Sequence, residues 1–432
     1  MDRAAFRGVM AALALLAAPA SAQTTAEDVH AAERAMFGFG TLRQGADGNN
    51  PDAPNASNTD EARVGEYAMP PLFESARQQT PTGWPARREE MARMVEDNWA
   101  GRIPAVVSTF RVVWDKVPAD AGDYAATVEE WTGRVIAPDG RSGPVISATI
   151  HFPQSRPDAA PSIINYTYVW PGGRMPNFGG TPPPDAIAQA LDRGWAHVEY
   201  RPQLLQADSA ATMQDGVIGL ARWPRAQHDW GALRAWGWGA SQLREELARD
   251  PRIDGQMVTL TGHSRFGKGV LVTAAFDHAF HDAHVSSSGA GGAKLMRRDF
   301  GERWENMSSS GAFHWFTPNI MNFARDPLTV HDLPVDAHML IALRAPRPLF
   351  ITSGLAEKGD SWVDPAGMWS AFSEAQPAWE LFGASVPSGM VMPVPESREQ
   401  LSFPLAWYQH GEGHVAWPAY DEFYDHAEMF GE

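Results

Sequence analysis

The chain has 432 residues, 44% hydrophobic and 20% charged, a balance that excludes disordered and fibrous classes and is enough to bury a large core. Its formal net charge of -17 argues against nucleic acid or an anionic membrane as a partner. Cysteine is absent, which excludes disulfide staples, thiolate catalysis and cysteine-ligated zinc.

The N-terminus joins basic Arg3 and Arg7 to an apolar run from Val9 to Ala18 and an Ala20-Ser21-Ala22 end. This is the pattern of a cleavable secretory signal over residues 1–22, and the run is too short to span a bilayer. A secreted or periplasmic protein, cut near Ala22, is therefore expected, with no membrane partner. Residues 23–120 read as an N-terminal extension and linker. Within them Gln44 to Asp60, rich in Gly, Pro, Asn and Asp, is expected to cross the surface as loop. Residues 121–432 are the expected catalytic domain.

Tyr124 to Ala137 and Val145 to Phe152 predict antiparallel strands joined by the turn residues Pro138-Asp139-Gly140. Strand and helix then alternate. Ser162 to Val169 reads as a buried strand, Asp185 to Arg193 as a helix ended by Gly194, and Trp195 to Tyr200 as the next strand. Trp230 to Asp250 predicts a long helix stopped by Pro251, and Met257 to Leu260 a short apolar strand. Leu349 to Ser353 and Ala406 to Tyr408 supply later strands. This order implies an α/β fold with a mostly parallel central sheet and helices on both faces.

The strand ending at Leu260 runs into Gly262-His263-Ser264-Arg265, most of a G-x-S-x-G turn, with Phe266 where the last glycine is expected and Gly267 one later. Such a strand-turn-helix elbow exposes a serine hydroxyl while backbone N–H groups face the oxyanion that forms on attack. It makes Ser264 the candidate nucleophile of an α/β-hydrolase fold. A serine that merely caps the following helix is the competing structural reading.

The longer stretch Gly262-His263-Ser264-Arg265-Phe266-Gly267-Lys268-Gly269 resembles the Gly-Cys-Ser-Arg-x-Gly-Lys motif of the glucuronoyl esterases, carbohydrate esterase family fifteen. From Gly194 onward the resemblance continues through Ser288-Gly289-Ala290-Gly291-Gly292, Phe313-His314-Trp315-Phe316, Leu333-Pro334-Val335-Asp336-Ala337-His338, Ala345-Pro346-Arg347-Pro348 and Gly413-His414. It implies a serine esterase for esters of glucuronic acid, 4-O-methylated and carried on a polysaccharide such as glucuronoxylan, needing no cofactor. An acetyl or other polysaccharide esterase with the same residues is the nearby alternative. A non-catalytic glycan-binding protein on the same scaffold is the rival from another class.

The chain order of this fold, serine then acid then histidine, puts the base after the last strand, where Gly413-His414 matches the family better than His410. His410 is expected to pack or hydrogen-bond. The acid is the departure. Many members carry a glutamate before Ser-Gly-x-Gly-Gly, but this chain has Ser287 there. Asp360-Ser361-Trp362-Val363-Asp364-Pro365 resembles a later acid-bearing loop of bacterial members, which makes Asp360 the candidate. Its rivals are Glu357, a solvated loop charge otherwise, and Asp364, better placed to cap a helix begun by Pro365. The resemblance further implies Arg265 as an oxyanion donor and Lys268, Glu302 and Trp362 as substrate contacts. His314-Trp315-Phe316 and Asp336-Ala337-His338 are expected to be scaffold. No metal site is expected, because His338 lacks ligands at suitable spacing. A monomer is expected.

Overall fold

The structure is a computed structural model that describes residues 24–156, 158–169, 184–384 and 391–431. The expected signal segment, residues 1–22, lies outside them. Among the described residues nine strands form one sheet: β1 (Arg111–Ala119), β2 (Ala126–Ile136), β3 (Ser142–Pro153), β4 (Ala160–Tyr166), β5 (Ala196–Tyr200), β6 (Ile253–His263), β7 (Ala283–Ser286), β8 (Leu349–Ser353) and β9 (Leu405–Gln409). Their order is β1-β2-β3-β5-β4-β6-β7-β8-β9. The first three pair antiparallel, β3 meets β5 antiparallel, and every pair from β5 across to β9 is parallel.

Period-two alternation sorts the sheet's side chains onto two faces. On β8, Leu349 and Ile351 enter the main core while Phe350 enters a second cluster, and on β9 Leu405 and Trp407 part in the same way from Ala406 and Tyr408. Helices Ala232–Leu247 and Arg265–Phe276 cover the main core, and helix Tyr420–Met429 covers the other face through Phe423, Tyr424 and Ala427. The expected α/β-hydrolase sheet with helices on both faces is therefore present.

The N-terminal portion differs from a linker. The expected boundary at residue 121 falls between β1 and β2, which pair along the whole of β1. Trp84, Met91, Val95 and Trp99 are buried in the same core as the sheet. In helix Ala26–Phe37, Glu33 forms a buried ion pair at 2.8 Å with Arg225, which also donates to the carbonyls of Trp230 and Phe316. His338 donates through Nε2 to the Pro70 carbonyl at 3.0 Å. Residues 24–110 thus complete the catalytic body.

Candidate active site

Ser264 sits between β6 and helix Arg265–Phe276 at φ 58 and ψ -126, a left-handed conformation that is strained for a residue with a Cβ. Close packing enforces it. A Cβ on Gly262 would stand 2.5 Å from the Phe266 carbonyl oxygen, and one on Gly267 would stand 2.7 Å from that of Ser286. The late glycine therefore fits the helix against β7, while Phe266 stacks on Tyr168 with ring centroids 4.1 Å apart. Ser264 makes no side-chain cap bond to its own helix, contrary to the helix-cap reading. Its side chain is instead within hydrogen-bonding reach of the Tyr168 phenol.

His414 follows β9, and its Nδ1–H donates to Asp360 Oδ1 at 2.6 Å. The His414 ring lies 4.3 Å from that of His263, the residue before Ser264. Asp360 is fully buried, and its second oxygen accepts from the Gly354 N–H at 2.6 Å and the Ser287 hydroxyl at 2.8 Å. Three donors therefore fix the carboxylate. The serine that replaces the family's glutamate is one of them, a role that its position in the motif did not reveal.

The rival residues are occupied elsewhere or exposed. Glu357 is exposed on the short turn Ala356–Lys358. Asp364 caps helix Pro365–Ala375 through the Gly367 N–H at 2.9 Å and pairs with Arg298 at 2.9 Å. His410 donates through Nε2 to the Val415 carbonyl at 2.9 Å and braces the loop that carries His414.

The Arg265 guanidinium pairs with Asp208 at 2.8 Å and lies 5.9 Å and 5.4 Å from the Tyr168 and Trp315 rings. Asp208 also accepts from His314 Nε2 at 3.0 Å and Trp315 Nε1 at 2.6 Å. Burial alone would raise its pKa, but the bond from His314, the Arg265 charge and the bond from Trp315 hold it below the usual carboxylate range. Burial pushes His314 down in turn, so its neutral ring donates to a carboxylate. His314 and Trp315 therefore border the site rather than serving as remote scaffold. Asp336, by contrast, holds the Met296 N–H at 2.7 Å and Arg297 at 3.1 Å, as scaffold should. Neither Asp208 nor Tyr168 was read from the sequence. Each follows a parallel strand, Asp208 after β5 and Tyr168 after β4, and that position was the available signal.

Lys268, Glu302 and Trp362 come together. Lys268 is buried and donates to the Ser288 carbonyl at 2.5 Å and to Glu302 Oε2 at 3.3 Å. Burial lowers its pKa and Glu302 restores part of it. Glu302 Oε1 accepts from Trp362 Nε1 at 2.8 Å, and Oε2 from the Ala290 N–H at 2.9 Å. A cation, a carboxylate and an indole thus share one wall beside the elbow.

A mostly parallel sheet whose strand ends carry a strained serine, a buried aspartate and a histidine in that chain order defines an α/β-hydrolase. The family model described as "Glucuronyl esterase, fungi" matches residues 136–383. A glucuronoyl esterase structure from Teredinibacter turnerae is 34% identical, with a TM-score of 0.83 over 94% of this chain and 99% of that one. One from Solibacter usitatus is 25% identical, with a TM-score of 0.72 over 86% of this chain and 100% of that one. The chain belongs to the glucuronoyl esterases, carbohydrate esterase family fifteen. Among curated relatives, a carbohydrate esterase from an unknown prokaryotic organism is 34% identical over 46% of this chain. The 4-O-methyl-glucuronoyl methylesterase of Hypocrea jecorina is 26% identical over 73% of it. The chain spans 44% and 61% of the lengths of those two.

Proposed function

We propose that this chain hydrolyses esters of glucuronic acid, 4-O-methylated and carried on a xylan-type polysaccharide, through an acyl-enzyme on Ser264. The observation that carries the reading is the His414–Asp360 hydrogen bond beside the strained Ser264 turn. Asp360 holds Nδ1–H of His414, which leaves Nε2 as the base that takes the Ser264 proton. Ser264 Oγ then attacks the uronoyl carbonyl. The oxyanion is met by the Arg265 backbone N–H and guanidinium, and Asp208 holds that guanidinium in place. His414 returns the proton to the departing alcohol. It next takes a proton from water, which attacks the acyl-enzyme, and the uronic acid leaves as Ser264 regains its hydrogen. Lys268, Glu302 and Trp362 hold the sugar.

The test is hydrolysis of benzyl glucuronate by Ser264→Ala, expected to lose about 10⁴-fold or more in kcat. Retained turnover would sink the mechanism. Faster release of acetate from acetylated xylan than of methanol from methyl glucuronate would favour the acetyl esterase alternative. Tight oligosaccharide binding with no turnover would favour the non-catalytic one. The proposal includes export after cleavage near Ala22 and action as a monomer, checked by N-terminal sequencing of the mature chain and by sedimentation.

A further inference from the structure

Residues 45–58 fold onto the segment that carries Glu302 and grip it on both sides. Upstream of Glu302, the buried Asn58 donates through Nδ2 to the Asp299 carbonyl at 2.7 Å and accepts the Gly301 N–H at 2.8 Å. Downstream, the Asn306 amide accepts the Ala46 N–H at 3.0 Å and donates to the Ala46 carbonyl at 2.9 Å. Between these anchors the loop closes on itself: Asp47 donates its N–H to the Asn55 carbonyl at 2.8 Å and accepts the Ser57 N–H at 2.9 Å. The Asp47 carboxylate then takes the N–H groups of Asn49 and Asn50 at 2.8 and 3.1 Å. Together these bonds anchor the loop that carries Gly48.

Gly48 lies against the six-membered ring of Trp362. A Cβ built on it would stand 2.5 Å from Cζ3, 2.7 Å from Cε3 and 3.2 Å from Cη2. Its φ is outside the left-handed range, so the backbone would accept alanine, and the three atoms nearest the added methyl all belong to the indole. Trp362 is therefore held at both ends, at Nε1 by Glu302 and at the far ring by the Gly48 backbone.

We infer that residues 45–58 form part of the substrate cleft and that Gly48 is a positioning residue, setting the Trp362 ring against the sugar of the uronate ester. This rests on the proposed uronate reading, with Trp362 as a sugar contact. An extra methyl at Gly48 displaces the ring while leaving Ser264, His414 and Asp360 untouched, so the loss falls on binding rather than on acyl transfer.

The test compares native enzyme, Gly48→Ala, Trp362→Ala and the double variant on benzyl glucuronate. Gly48→Ala is expected to raise KM about fivefold with kcat changed less than about twofold. Placed in the Trp362→Ala background, where the methyl meets no ring, the same substitution is expected to change nothing further. The double variant also covers the case in which Gly48→Ala alone folds poorly, since removal of the ring then restores folding. An unchanged KM in Gly48→Ala, or an equal loss in both backgrounds, would overturn the inference while the uronate reading stands. A native enzyme silent on the glucuronate ester but active on acetylated xylan would remove both.

Discussion

Asp360 and Asp364 stand four residues apart in one loop, both fully buried, and meet opposite company. Asp360 faces the His414 imidazole, whose side chain is 37% exposed, together with two neutral donors. Asp364 faces Arg298 and Lys294, two buried cations, at 2.9 and 3.9 Å, and it caps a helix. A guanidinium keeps its charge through any turnover, so Asp364 can only hold structure. An imidazole can carry a proton from nucleophile to leaving group, so the carboxylate that orients it can serve a reaction. His426 and Asp282 sharpen the point. They pair at 2.6 Å, but His426 is wholly buried and gives its second nitrogen to the Phe403 carbonyl, leaving none for a nucleophile.

Removing the two carboxylate charges should therefore have different consequences. Asp360→Asn is expected to lower kcat on benzyl glucuronate by about 10³- to 10⁴-fold while leaving thermal unfolding near native. Asp364→Asn is expected to cost about 3 kcal/mol of stability in denaturant unfolding, because buried Lys294 loses its ion-pair partner and Arg298 is left with Glu61 alone, with kcat of the folded protein within about tenfold of native. The comparison breaks if the two variants exchange phenotypes. A finer test is Ser287→Ala, which takes one donor from Asp360 and is expected to lower kcat by about fivefold, the worth of ~1 kcal/mol.

Acid should weaken the scaffold as well. Burial pushes His197 and His338 down from the ordinary value of 6.5 to about 4. Their folded pKa lies below the unfolded one, so their contribution is whole above 6.5 and is lost as pH falls from there towards 4. Tm is expected to drop on moving from pH 7 to pH 5, and to drop less in His197→Gln. A Tm that holds steady over that range would show that these rings do not carry the acid sensitivity.

The sequence was most legible where local chemistry sets geometry. The turn at Ser264, the cap at Asp364 before Pro365 and the helices and strands around them follow from nearby residues. Asp360 and His414, along with Lys268, Glu302 and Trp362, were reached through family motifs, and the fold brings each set together. The rest depended on contacts distant in the chain. β1 is a mostly exposed edge strand containing Pro118, and β7 is four buried residues including His284 and Ser286, so neither shows a clear period. The loop holding Gly48 has the composition of a surface linker, and only the fold sets it against Trp362, more than three hundred residues away. Asp208 had no motif, because its partners Arg265, His314 and Trp315 come from two separate segments.

The most direct test of the account is proton NMR of the exchangeable imidazole N–H resonances. Among the described residues the two shortest imidazole–carboxylate bonds, from His414 to Asp360 and from His426 to Asp282 at 2.6 Å each, are expected to give separate far-downfield signals. The account expects Asp360→Asn to abolish one and leave the other, with both retained in Asp364→Asn. Retention of both signals in Asp360→Asn would contradict the pairing on which the proposed chemistry stands.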